Sequence, residues 1–269
     1  MKRTISVGIA LLSLSLVMGN QSSIAAPSAT KYVSFLAGET GGYTTYEWSF
    51  QRTPSVVVYS DGQTISEIPV RTLVYPGPIV SSYLQKTERG AVSRITTAAS
   101  KANLSNPKFD WGTPWITDVP DTTVITQLSS RASKVTVSIY ALGWDGTGLT
   151  PAQVAARKSA NGLIDSVENF NSKFFWTKSK PIPWKPTKWV YMSSIRDADE
   201  YSIVRPWFGS KTLKADFQCV TMSQQENYRL NALLPKLNQS SRWTSEGETW
   251  MITLRPLFPH ETGCKDLSK

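Results

Sequence analysis

Cys219 and Cys264 are the only cysteines in the chain, and they bracket its most regular stretch. In a chain that opens with an export signal, two cysteines are most simply read as one disulfide. The loop it would close is worth about 4 kcal/mol in lost freedom of the unfolded chain. A thiolate metal site or a cysteine nucleophile is the alternative reading of the same pair. Inside the loop, Ser223-Gln224-Gln225-Glu226 fits a capping box, in which serine bonds an orphan amide and glutamate reaches back. Leu230, Leu233, Leu234 and Leu237 continue at helical spacing until Pro235 should end or kink the helix. Farther on, Trp250, Ile252 and Leu254 alternate with Met251, Thr253 and Arg255, the period of a strand with one face on a core. Gly247 suits a hairpin turn back to Trp243-Thr244, and Arg255-Pro256 ends regular pairing because proline has no amide hydrogen.

The export signal occupies residues 1–25. Lys2 and Arg3 precede an uncharged apolar run from Ile5 to Met18, and Ser23-Ile24-Ala25 offers small residues at a cleavage site. That run is short for a bilayer span, although an uncleaved anchor is the alternative. Without Lys2 and Arg3, the 29 basic residues become 27 against 20 acidic ones, a net charge of +7. Ten tryptophans accompany that charge. An exported, basic, Trp-rich chain suggests contact with anionic or carbohydrate polymers.

Along the rest of the chain, Tyr32–Leu36 reads as a first strand. Val56–Tyr59, Asp61-Gly62 and Thr64-Ile65 read as a hairpin, with Val70–Tyr75 as another strand. Val92, Ile95, Ala98, Ala99 and Ala102 mark a helix after Thr87, and Thr123–Leu128 and Lys134–Ala141 are strands. Thr150-Pro151-Ala152-Gln153 starts a helix with an apolar face running from Ala156 to Phe170. Val190–Ser194, Tyr201–Val204 and Leu213–Val220 are further strand candidates. Because strands and helices cluster without βαβ alternation, the expectation is an α+β fold. It should have mostly antiparallel sheets, about three amphipathic helices and two packed subdomains. The divisions are a signal at 1–25, an N-terminal subdomain at 26–148 and a connecting helix at 149–172. A Lys/Trp/Pro-rich linker or loop at 173–189 then leads to a C-terminal subdomain at 190–269.

Several phrases occur together in order: VYSDGQTI, VYPGPIV, ITDVPDTTV, YALG before the TPAQVAAR helix, FQCVTMS, and RWTSEGETWMITLRPLFPHETGC. They resemble an uncharacterised family of secreted proteins and lipoproteins from actinobacteria, over nearly the whole mature chain. The resemblance implies an exported, envelope-associated location, the Cys219–Cys264 pair and an α+β fold, and transfers no activity. Many such proteins carry a lipid-modified cysteine after the signal. Here no cysteine precedes Cys219, so the expectation is a secreted, wall-associated chain without a lipid anchor.

Chemical options are few. His260 is the single histidine, so no His-rich metal site can form, and no Gly-x-Ser-x-Gly elbow presents a serine to it. Walker and Gly-x-Gly-x-x-Gly loops are absent, which argues against nucleotides as partners. The acids close in sequence are Asp118 with Asp121, Asp197 with Asp199 and Glu200, and Glu246 with Glu248, all in turn-like contexts. The segment from Lys173 to Trp189 holds five lysines, three tryptophans and no acid. It offers Trp176, Lys178, Lys180, Trp184, Lys185, Lys188 and Trp189 as a binding surface. In the duller reading, Phe174, Phe175 and Trp176 end the preceding helix in the core. No catalytic set, metal or cofactor is read from the chain. The expectation is a non-enzymatic envelope protein binding an anionic wall polymer or a protein partner. Two alternatives stand beside it: a secreted hydrolase using paired carboxylates, and an inhibitor-like protein presenting the Arg255–Glu261 loop.

Overall fold

The computed structural model describes residues 31–69, 78–79, 81–144 and 146–267. The signal at 1–25 and the expected strand Val70–Tyr75 lie outside them. In chain order the elements are β1 (Val33–Thr40), α1 (Tyr46–Gln51), β2 (Val56–Tyr59), β3 (Gln63–Pro69), β4 (Ser81–Thr87) and α2 (Arg89–Lys101). Then come β5 (Asp121–Thr126), β6 (Val135–Tyr140), α3 (Pro151–Glu168), β7 (Ile182–Pro183), β8 (Trp189–Ile195) and β9 (Val204–Pro206). The last are β10 (Val220–Thr221), α4 (Gln224–Leu233), β11 (Arg242–Ser245) and β12 (Glu248–Pro256). This is an α+β fold with two sheets, ordered β6-β5-β1-β2-β3-β4-β7 and β10-β8-β12-β11-β9. Among the described residues every pairing is antiparallel except that of β9 with β11.

Local chemistry explains the helix starts. Thr150 and Ser223 both close full capping boxes, with Gln153 and Glu226 reaching back to the cap amides. Pro235 ends α4 as a 3-10 turn over Leu234–Lys236. Glu246 and Gly247 both take positive φ in the β11–β12 hairpin, as the twist of a tight turn requires.

The first sheet buries one face under α2 and α3, with Phe35, Val58, Ile95, Ile139, Leu163 and Val167 among the core residues. Phe174 and Phe175 fill the same core, so the 173–189 segment begins in the interior. Glu88 fastens the next two residues of that segment: its carboxylate accepts from the amides of Trp176 and Thr177, both at 3.0 Å. The second core lies between the second sheet and α4, around Trp189, Leu230, Trp243, Trp250 and Leu254. The Cys219–Cys264 disulfide is formed, half-buried, and joins the residue before β10 to the segment after β12.

Two expected strands are corrected. Leu213–Val220 pairs only at Val220–Thr221, because Asp216 accepts from the Gln218 amide and Phe217 takes positive φ, turning the chain out of line. Tyr201–Val204 starts only at Val204, after Asp199 and Ser202 form a local turn. The outward face of β12 also differs from the reading of one covered face, since Thr253 and Arg255 are buried as well.

Arg255 explains that second covering. Its guanidinium meets the Glu261 carboxylate through two bonds, of 3.1 and 2.8 Å, and its Nε donates to the carbonyl of Arg52 at 3.0 Å. Glu261 also accepts from the Phe258 amide at 2.7 Å. Phe258 in turn packs with Val57, Tyr59 and Tyr83 on the remaining face of the first sheet. The turn after β12 therefore joins the two sheets.

Glu261→Ala leaves a buried guanidinium without its anion, and is expected to lower the urea-unfolding free energy by about 3–5 kcal/mol. Replacing Arg255 and Glu261 together with Met and Leu should cost clearly less. Gly162, inside α3, would meet nothing within 4 Å if given a Cβ. Gly162→Ala should therefore raise stability by about 0.5–1 kcal/mol in the same assay.

Candidate functional site

The acids close in sequence do not form a site. Asp118, Asp197, Asp199, Glu200, Glu246 and Glu248 are all exposed. Asp121 accepts from Ser138 at 3.1 Å, and Asp199 accepts from the Tyr201 amide at 3.0 Å. These are turn and sheet-edge duties. His260 bonds Tyr59 Oη through Nδ1 at 2.9 Å. Burial of its inner edge, first among the causes, holds its pKa below the usual value. Within the Arg255–Glu261 loop only Pro259 and His260 are exposed; the remainder is packed between the sheets.

The expected binding surface divides in two. Trp176 is 70% exposed, and Lys178, Lys180, Lys185 and Lys188 stand in solvent. Trp189 is withdrawn: its ring is fully buried and its Nε1 donates to Asn231 at 2.9 Å. Trp184 lies edge-on to Tyr83 and against Phe258, with ring centroids 5.4 and 5.0 Å away. Both indoles belong to packing because the strand pairs of β7 and β8 carry the segment across the sheets.

Four other carboxylates converge where the end of the first sheet meets the last turn of α3. Glu39 comes from β1, Glu67 from β3, and Asp165 and Glu168 from α3, lining a cleft of about 470 Å³. Glu67 is held in place, with Ser81 Oγ donating to Oε1 and Thr53 Oγ1 donating to Oε2 at 3.1 Å. Thr53 is fixed in turn by the Tyr83 hydroxyl at 3.2 Å. Ser55, whose Oγ donates to the Ala37 carbonyl at 3.2 Å, lines the same wall as Glu168. Asn161 donates to Asp165 at 3.2 Å, and Trp48, 42% exposed, stands at the rim.

Electrostatically this cleft is expensive. Burial pushes the pKa of Glu67 up, and the charges of Glu168 and Glu39 push it further, against the hydroxyl bonds that favour the anion. Burial also raises that of Glu168, with Asp165 and Glu39 adding repulsion. Asp165 and Glu168 lie in the last turn of α3, which holds no basic residue. Negative charge is least welcome at the carbonyl end of a helix. Such an arrangement favours the protonated form of a carboxyl more than solvent does, and sets two carboxyls with raised pKa side by side, as acid–base chemistry requires. Among the described residues, no three His, Cys, Asp or Glu side chains gather closely enough to hold a metal ion.

Adjacency in sequence was the wrong signal for finding this set. A better one was present: Glu67 sits within a strand, and Glu168 lies four residues after Ile164, beside the apolar stripe of its helix.

A group whose folded pKa is raised takes up protons more readily in the native state. Its stabilising effect is gained as pH falls through the folded pKa and lost above it. Between pH 7 and pH 5, Glu67→Gln should therefore respond less than the wild type in the direction of acid stabilisation. Paired thermal melts across that range isolate the difference from the other titrating groups.

Comparison with models of known protein families, with curated proteins and with solved structures finds no match for this chain.

Proposed function

We propose that the protein is an exported hydrolase of the cell envelope, cleaving glycosidic bonds in a neutral or amine-bearing glycan with Glu67 and Glu168. The carrying observation is the convergence of these two carboxyls, from different elements, in one cleft where both pKa values are raised. Glycoside hydrolysis asks for one carboxyl to protonate the leaving oxygen and one to act as base or nucleophile. Burial and the neighbouring charges of Glu168 and Glu39 suit Glu67 to the acid, with Ser81 and Thr53 fixing its position, and Glu168 suits the second role. Trp48 offers a flat apolar face for a sugar ring, and Asn161 and Gln51 offer amides for its hydroxyls. Four acids stand on the wall against one cation, Arg52, whose guanidinium also donates to the Gly41 carbonyl, so the net negative cleft disfavours a polyanionic substrate.

Export is supported by the charged and apolar pattern of residues 1–25 together with the disulfide. Among the described residues, no helix is long and apolar enough to cross a membrane. Placement among secreted actinobacterial envelope proteins rests on the sequence phrases alone.

Reducing-end release from purified wall glycan and from neutral or amino-sugar oligosaccharides tests the reading. Glu67→Gln and Glu168→Gln should each reduce the rate by about 10²–10⁴-fold while the fold survives. An inert wild type across these substrates, or variants that keep full activity, would overturn it.

A further inference from the structure

On the other flank of α3 the charge is reversed. α2 and α3 lie side by side over the first sheet, and a groove of about 730 Å³ runs between them. Lys101 comes from α2, Lys158 from α3 and Lys173 from the turn after it. All three are exposed, no carboxylate lines the groove, and none of the three is in an ion pair among the described residues. Apart from Lys173 Nζ, 5.5 Å from the Phe174 ring centroid, these charges face solvent, and together they make a local positive surplus that attracts an anion.

Two further observations shape the ligand. Gly162 lines the groove in the middle of α3 and faces open space. A glycine there weakens the helix, and no neighbouring atom requires it; what it does is keep the groove wall low. At one end Arg94 is already committed, donating to Glu88 and to the carbonyl of Phe174. The exposed Trp176 indole lies over its guanidinium, 3.8 Å from the ring centroid. That end therefore offers an aromatic surface rather than another free cation. Ser93 and Lys101, on α2, are about 12 Å apart along the helix at 1.5 Å per residue, long enough for a few units of a linear chain. A bilayer surface cannot follow a concave path between two helices, whereas a flexible chain can.

We infer that the α2–α3 groove binds a linear phosphodiester polymer of polyol or sugar units, with Lys101, Lys158 and Lys173 meeting successive phosphates. The site is separate from the acidic cleft and does not rest on its chemistry. It would hold the protein on an anionic polymer while the cleft faces another substrate.

The test is calorimetric titration of the full chain with short synthetic poly(glycerol phosphate), at low and at physiological salt. Binding should weaken as salt rises. Replacing Lys101, Lys158 and Lys173 together with Glu should weaken it about tenfold or more and make the salt slope shallower by about two. Gly162→Gln, which fills the groove without changing charge, should also weaken binding, and melting curves establish that each variant is folded. Three results would overturn the inference. One is equal loss when Lys185, Lys188 and Lys211 are replaced instead. Another is unchanged binding in both groove variants. The last is preference for anionic lipid vesicles over the polymer.

Discussion

The ion pair between Arg255 and Glu261 ties the two sheets together within the single compact unit that begins at Lys31. Arg255 belongs to β12, in the centre of the second sheet, yet its Nε binds the chain leading into β2 of the first. Glu261 answers with both oxygens and also takes the Phe258 amide, which fixes the turn that carries Phe258 into the aromatic layer with Tyr83 and Trp184. A buried pair of this kind is not strongly stabilising by itself, since desolvating two charges offsets most of their attraction. Its force is conditional. Once either charge is buried, the other must be present, and the turn can take only the path that supplies it. Geometry, more than net energy, is what the pair contributes.

With the sheets locked, α3 becomes a divider between two electrostatic environments. Asn161, Asp165 and Glu168 face the acidic cleft, while Lys158, Ser159 and Gly162 face the basic groove. One helix turn thus separates surfaces of opposite sign. Neither side is arranged for stability. Two acids crowd the carbonyl end of the helix, a glycine interrupts its middle, and the half-buried carboxyls of Glu67 and Glu168 share one cleft at raised pKa. Hydrophobic burial on the sheet-facing stripe, with Ala160, Leu163, Ile164 and Val167, supplies the stability that tolerates these local costs.

Much of the fold was legible because its signals are local. The capping boxes at Thr150 and Ser223 need only four residues each, and both form as read. The alternation from Trp250 to Leu254 predicted a strand facing a core, and Trp250 and Leu254 are buried in one. Elements whose signals are tertiary were invisible. β4 forms on the open edge of β3 and β7 on that of β4, and a pairing of Ile182–Pro183 with Leu84 and Gln85 leaves no periodic trace in sequence. Trp189 was indistinguishable from Trp176 by composition, since Asn227 and Asn231 had to arrive from α4 to claim its amide and indole. The candidate site was hidden for the same reason: its four acids come from β1, β3 and α3, and only sheet order brings them together.

Net charge misdirects most where it seems most informative. A surplus of basic residues describes the far field, and screening confines that field to about a Debye length, roughly 8–10 Å. Within that distance, what a ligand meets is the local set of side chains. In this protein the local set changes sign across a single helix. A polyanion drawn in by the overall charge would find Lys101, Lys158 and Lys173 on one flank and be turned away from Glu39, Glu67 and Glu168 on the other. The basic surplus and the acidic cleft are therefore compatible: the first acts at a distance, and the second acts only on what reaches the cleft.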